Sequence, residues 1–307
     1  EHSRNTKPIG AAQLDMDTVV SRHTPVCPEE RDWQELQKTE YITQEAELPV
    51  VSVEITPRKN RVSGDISPRA KEILRQLTEK EMAELVVGVG MYFGKTTFTL
   101  PGSVGNTTSR FWDRGLVNLP LCDGPAGLRL RKRSALTKRN TLHPVEMSMS
   151  MYDFLPQWAR KLLCADPNKL PVYYQFTTAF PVATALAQSW NTGLLERIGG
   201  AIQKEMERYG CVYWLAPAVN LHRNPLCGRN FEYFSEDPYL AGMMSAGLTR
   251  GVQQTPGCYV TVKHFACNNQ EDNRNYVSSN VSQRALREIY LRPFAYSVQM
   301  GGARGIM

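Results

Sequence analysis

No stretch of the sequence is apolar over the ~20 residues that a membrane helix needs, so no membrane partner is expected. The opening residues, EHSRNTKPIG, hold no hydrophobic segment of an export signal. Cysteine pairing motifs are also missing. Seven cysteines stand at 27, 122, 164, 211, 227, 258 and 267, an odd number with no CxxC and no histidine at ligand spacing. That argues against a disulfide framework and a structural zinc site. It leaves buried thiols of a reducing compartment, with a cytoplasmic location expected. No GxGxxG follows the first strand-like run, which speaks against a dinucleotide site. The segment Gly90-Met91-Tyr92-Phe93-Gly94-Lys95-Thr96 has three residues between its glycines. A phosphate loop needs about four and a preceding strand, so that motif fails as well.

What is present is a globular composition: 42% hydrophobic, 21% charged and 9% aromatic residues in a chain of 307. It excludes a disordered or collagen-like protein. The length fits about two domains, or one α/β barrel with additions. The net charge of +6 is 36 Lys and Arg against 30 Asp and Glu. One segment, Arg129 to Arg139 (RLRKRSALTKR), holds six basic residues and no acid, so the rest is neutral. We read it as a solvated loop. No readout motif accompanies it, so no nucleic-acid partner is expected.

Residues 1–66 are β-prone in short pieces and otherwise polar, too little to bury a core alone. A new unit opens at Ser67-Pro68, a helix start with serine as N-cap, followed by the capping box Thr78-Glu79-Lys80-Glu81. Strands are expected at Val117–Leu121, Pro181–Ala187, Cys211–Leu215, Tyr259–Val262 and from Ala303. Helical stripes read Leu195, Ile198, Ile202 and Met206; Leu240, Met244, Leu248 and Val252; and Leu286, Ile289, Phe294 and Val298. The last strands recur about 46 residues apart, each pair joined by a helix. Fully apolar strands joined by helices imply a parallel sheet covered on both faces. An open doubly wound sheet and a barrel both fit. Long polar loops after the strands, 216–235 and 265–281, and short ones after the helices favour a barrel whose site is built at the strand ends.

Polar groups stand where the apolar strands stop: Asp123 and Arg129, Arg229 and Glu232, Lys263 and His264, then Arg274 and Met307. A pyranose offers neighbouring hydroxyls that both donate and accept. A carboxylate can accept from two of them while Arg and Lys donate through charge-assisted bonds. The plainer alternative is ordinary ion pairs near the surface, Arg229 with Glu232 or Lys263 with Glu271. Their shared placement at C-terminal strand ends favours a site.

The segments DGPAGLRL, TAFPVATALAQSWN, APAVNLHRNPLCGRNFEYFSEDP, VKHFACNNQEDNR and GGARGIM resemble family 3 glycoside hydrolases, chiefly β-glucosidases, from about Ser67 to Met307. The apparent insertion at 131–178 and the stretch SRNTKPIGAAQLDMDTVV resemble the bacterial branch with permuted domain order. The resemblance implies an α/β fold, a (β/α)8 TIM-like barrel incomplete in this chain, over 67–307. A fibronectin-III-like β-domain tail and linker would precede it at 1–66.

It further implies an exo-acting, retaining β-glucosidase taking a small-molecule β-glucoside or oligosaccharide, with no cofactor and no metal. Asp123 would accept from the distal hydroxyls of the nonreducing glucose, with Arg129 beside it and Arg229 reaching the same subsite. Lys263 and His264 would bind adjacent hydroxyls, Arg274 would close the pocket edge and Met307 would line it. The family's nucleophilic aspartate is expected after Met307 and its acid/base glutamate in another domain. The chain is therefore expected to be one segment of a longer polypeptide, inactive alone and partnered by the remainder. Among the nearby carboxylates, Glu232 would orient Arg229, Asp237 would cap a helix, and Glu271 and Asp272 would sit in a polar loop. A carbohydrate-binding pseudoenzyme and a β-xylosidase are the alternatives. An N-acetylglucosaminidase is disfavoured, since 265–281 holds no histidine. Regular strand geometry would send Lys263 and His264 to opposite faces. For both to bind one sugar the backbone there must be irregular, and a non-proline cis peptide would suffice.

Overall fold

A computed structural model of the chain describes residues 66–90, 100–107, 110–139, 141–146, 156, 158 and 163–307. The expected β-domain tail and linker (except Ile66), Cys27 and the phosphate-loop-like segment (except Gly90) lie outside them. Residues 66–307 form one unit.

Two capped helices open it. In α1, Pro68–Arg75, the Ser67 hydroxyl accepts from Ala70 N at 3.2 Å and proline fills the first helical position. In α2, Glu79–Val87, Thr78 and Glu81 close the capping box reciprocally, Glu81 N to Thr78 Oγ1 at 3.3 Å and Thr78 N to Glu81 Oε2 at 2.9 Å.

The chain then forms β1 (Val89–Gly90), β2 (Gly105–Asn106) and β3 (Pro120–Cys122), followed by β4 (Arg133–Leu136), β5 (Leu142–Pro144) and β6 (Val172–Tyr174). The helices α3 (Ala183–Ala187) and α4 (Thr192–Tyr209) lead to β7 (Tyr213–Trp214). Next come α5 (Pro238–Val252), β8 (Tyr259–Val262), α6 (Arg292–Gln299) and β9 (Gly305–Ile306). The principal sheet runs β1-β2-β3-β7-β8-β9, antiparallel through β3 and parallel from β3 to β9. A separate antiparallel sheet, β5-β4-β6, is made by the residues read as an insertion.

Helices α4 and α5 lie on the parallel strands. Leu195, Ile202 and Met206 from one and Met244, Leu248 and Val252 from the other enclose Trp214, Val260 and Val262 in a single buried cluster. Their backbones touch. A Cβ on Gly251 would stand 2.0 Å from Glu196 O, and one on Gly199 2.4 Å from Leu248 O. Backbone cannot yield there as a side-chain tip would. We expect Gly251→Ala to cost about 2 kcal/mol through forced separation of the helices. A urea midpoint equal to that of the parent would count against so tight a crossing.

Three expectations are corrected. Pro181–Ala187 is not a strand: Val182 caps the five-residue helix α3, with Ala183 and Ala187 buried. A short apolar run does not distinguish buried helix from buried strand, and alanine favours the helix. β3 pairs directly with β7, with no strand between them, and the antiparallel β2 lies on the other side of β3. The single helix expected to carry Leu286, Ile289, Phe294 and Val298 is broken into Gln283–Ala285, a π-helical turn at Leu286–Tyr290 and α6, which has Pro293 in its first turn. Proline cannot donate within a continuing helix; of the stripe, Phe294 is buried and Val298 is exposed. The basic run is not a solvated loop. It passes through β4, where Ser134 and Ala135 are buried and Arg133 pairs with Glu146 at 2.6 Å. The basic residues fall on either side of the strand's buried centre, Ser134 and Ala135, so the middle of the run packs while its ends stay wet.

Candidate active site

The loop after β3 carries Asp123 and Arg129. It doubles back at Gly124, whose φ of +122° and whose Cβ position, 2.0 Å from Gly127 O, admit no side chain. Trp214 Nε1 donates to Gly124 O at 2.7 Å, tying the loop to β7, and Arg129 N donates to Asp123 O at 2.7 Å. Both carboxylate oxygens of Asp123 are engaged: Lys263 Nζ donates to Oδ1 at 2.9 Å and Arg129 Nη2 to Oδ2 at 2.5 Å. The Lys263 side chain is 3% exposed, that of Arg129 65%. Burial pushes the Asp123 carboxyl up, but Lys263, then the Gly124 N–H and Arg129 outweigh it, so the group is held below its ordinary range.

The loop after β7 supports the end of β8. Ala218 bridges to both Tyr233 and Lys263. Asn220, 4% exposed, grips residue 264 from both sides: its Oδ1 accepts from His264 N at 2.7 Å and its Nδ2 donates to His264 O at 2.9 Å. The Lys263–His264 peptide is cis, as is Phe265–Ala266. This is the irregular backbone that two neighbouring residues need to serve one site. Lys263 reaches Asp123, and the His264 ring lies beside Asn220 Oδ1 and the Tyr233 hydroxyl, 3.3 and 3.5 Å from Nδ1.

A 3-10 turn, Asn230–Glu232, follows Arg229, whose Nε donates to Glu232. Glu232 is 2% exposed, so this is no surface pair. Glu271 stands 3.9 Å from Arg229 Nε and 2.9 Å from Arg274 Nη1. Asn268 Nδ2 joins Glu271 Oε1 at 3.0 Å to the Tyr233 oxygen at 2.9 Å. The considered pair of Lys263 with Glu271 does not form, because Lys263 is held by Asp123. Asp237 caps α5 through its bond from Leu240 N at 2.6 Å.

His264 lies at the junction of these groups. Burial first, then the charges of Arg229 and Lys263, with a smaller effect of Arg274, lower its pKa to about 3, and Asp123 opposes them. The imidazole is therefore neutral near pH 7. The unfolded chain, with its histidine near ~6.5, binds the proton first as pH falls. The stability contributed by keeping this ring neutral is complete above that value and declines from there toward pH 3. In an NMR titration we expect the His264 ring shifts to stay flat from pH 8 to 5. A midpoint near 6.5 would contradict the geometry.

Asp123, Arg129 and Lys263 are thus in contact. Arg229 and Arg274 meet at Glu271, and His264 feels all four cations and anions that surround it. Met307 is placed by its backbone, which accepts from Phe265 N at 2.7 Å; its side chain is 46% exposed and no contact ties it to the cluster. Sequence reasoning passed over Asn220, Tyr233 and Asn268 and weighed Lys263 as the partner of Glu271, where the structure has Arg274. They lie inside the quoted motifs; the three-residue spacing of Asn268, Glu271 and Arg274 could have signalled their contacts, whereas those of Asn220 with residue 264 and of Asn268 with Tyr233 span 44 and 35 positions. Among the described residues no group of three or more His, Cys, Asp or Glu could hold a metal. The assembly offers fixed donors and acceptors in a half-buried cluster, which suits a neutral polyhydroxylated ligand.

Residues 172–307 match the glycosyl hydrolase family 3 N terminal domain. β-Glucosidase A of Butyrivibrio fibrisolvens is 32% identical over 297 residues, covering 94% of this chain and 30% of that protein. An exo-alpha-(1->6)-L-arabinopyranosidase of Bifidobacterium breve is 48% identical over 122 residues, 40% of this chain and 16% of that protein. The structure of β-glucosidase 3B from Thermotoga neapolitana in complex with α-D-glucose superposes with a TM-score of 0.60 at 40% identity, covering 77% of this chain and 28% of that one. The chain thus spans less than a third of the length of these relatives. Its parallel strands, its strand-end cluster and these matches together make it a member of glycosyl hydrolase family 3, carrying part of that family's barrel.

Proposed function

We propose that the chain builds most of the glucose-binding subsite of an exo-acting, retaining β-glucosidase. The observation that carries this reading is the buried Lys263–Asp123 pair with Arg129 on the second carboxylate oxygen, beside a neutral His264. Asp123 accepts from the distal hydroxyls of the nonreducing sugar, and Arg129, Arg229 and Lys263 donate. His264 binds a neighbouring hydroxyl, while Arg274 and Met307 bound the recess. Glucose bound in the Thermotoga neapolitana relative supports a sugar here.

None of these groups breaks the bond. The carboxylates of the cluster are already engaged by cations: Asp123 by Lys263 and Arg129, Glu232 by Arg229, and Glu271 by Arg274. A carboxylate so engaged is a poor nucleophile and a poor acid. In a retaining mechanism one carboxylate attacks the anomeric carbon and a second protonates the leaving oxygen. We assign both roles to parts of the protein outside residues 1–307. The cluster contributes contacts to the ring hydroxyls that strengthen as the sugar distorts toward the transition state.

The test is hydrolysis, by the whole protein that carries this chain, of 4-nitrophenyl β-D-glucopyranoside, β-D-xylopyranoside and α-L-arabinopyranoside. We expect kcat/KM highest for the glucoside. Preference for a pentopyranoside would move the assignment to a sugar without the hydroxymethyl group, as in the arabinopyranosidase relative. Binding of glucose without turnover of any glycoside would identify a pseudoenzyme.

A further inference from the structure

A second cavity, of about 390 Å³, lies away from the strand-end cluster, between the β5-β4-β6 sheet and the C-terminal end of α4. Its volume falls within the ~300–1,000 Å³ usual for small-ligand pockets. Tyr173, Tyr174 and Tyr209 line it with Pro101, Ser134 and Gln175. Two features separate it from a packing defect. Ser134, 3% exposed, is a lining residue, and its buried hydroxyl has no hydrogen-bond partner. Such a buried polar group is costly unless something satisfies it. Gln175 Nε2 is committed to Pro101 O and Arg131 O, both at 3.0 Å, which fixes the amide and leaves its Oε1 as an oriented acceptor.

The rim is aromatic and open. Tyr173 and Tyr174 are 54% and 55% exposed, and the Tyr174 ring lies nearly parallel to Phe176, centroids 5.6 Å apart and planes 14° apart. Tyr209 is fixed by its hydroxyl donating to Phe176 O at 2.5 Å. A pyranose matches this set: its C–H face lies flat against an aromatic ring while its hydroxyl edge supplies one acceptor and one donor to the buried polar atoms. A purely apolar molecule would leave Ser134 unsatisfied, and an anion would face no cation among the lining residues.

We propose that this cavity is an accessory carbohydrate cleft holding one pyranose ring of an oligosaccharide, in addition to the strand-end subsite. It rests on the sugar-binding reading above. The experiment is calorimetric titration of the whole protein that carries this chain with a thio-linked, non-hydrolysable cellotetraose. The parent should bind at two classes of site. Tyr174→Ala and, separately, Ser134→Ala should each weaken one class by about fivefold or more and leave the other unchanged. Ser134→Ala removes only an unsatisfied hydroxyl and so should not impair folding. Asp123→Asn should weaken only the other class. If both Tyr174→Ala and Ser134→Ala titrate like the parent, or if 4-nitrophenol displaces the weakened class and glucose does not, the cleft is not a sugar site. If instead Asp123→Asn leaves both classes intact while the tyrosine variant loses one, the cleft stands and the strand-end assignment fails.

Discussion

Replacing Asp123 by alanine should abolish sugar binding at the strand-end subsite and destabilise the fold by about 3–5 kcal/mol, the usual cost of removing one partner of a buried ion pair. Lys263 is 3% exposed, so without Asp123 its ammonium has neither water nor a counter-ion. The sign of a second experiment separates binding from stability. Lys263→Met added to Asp123→Ala removes the stranded charge and should recover most of the lost stability, because replacing both partners of a buried pair is often near neutral. It should recover none of the glucose affinity. Urea unfolding and glucose titration of the two variants measure these quantities. A single variant as stable as its parent would mean that Lys263 is solvated, against the packing around it.

Asn220→Ala should produce the next largest loss, about 3 kcal/mol with at least a tenfold weaker hold on glucose. Asn220 touches no expected ligand position in its own right. It acts through residue 264, accepting from its N–H and donating to its carbonyl at 2.7 and 2.9 Å. Each buried backbone group left without a partner costs about 1–3 kcal/mol. The readout that a merely structural role would not move is the His264 ring. Without the grip of Asn220 the ring should leave its buried place, weakening the burial and the Arg229 and Lys263 charges that lower its pKa to about 3, and its NMR titration midpoint should rise toward the usual range. An Asn220→Ala protein with the parent's ring titration and glucose affinity would show that the loop after β7 is not what positions the histidine.

The parts of the fold that could be read from the chain are those whose cause is local. Ser67 and Thr78 start helices because their hydroxyls meet backbone N–H groups three residues on. The stripes of α4 and α5 follow from the 3.6-residue period, and Leu195, Ile202, Met206, Met244, Leu248 and Val252 are all buried. Glu232 as the partner of Arg229 was legible for the same reason, being three residues away and on one turn. What failed was decided at a distance. Whether Pro181–Ala187 becomes helix or strand depends on which element flanks β3. Whether the basic run is wet depends on β6 pairing with it. Lys263 chose Asp123 over Glu271 because β3 and β8 flank β7, which places residues separated by 140 positions side by side.

The chemistry of the candidate site, carboxylate, guanidinium, ammonium and imidazole at successive strand ends, was therefore written in the order of the residues, since strand and loop alternate with a period the chain itself displays. Which of those groups touch, which histidine stays neutral and which serine is left unsatisfied came only from the tertiary structure. Those properties depend on burial and on pairs far apart in the chain, and neither is encoded in any short window of residues.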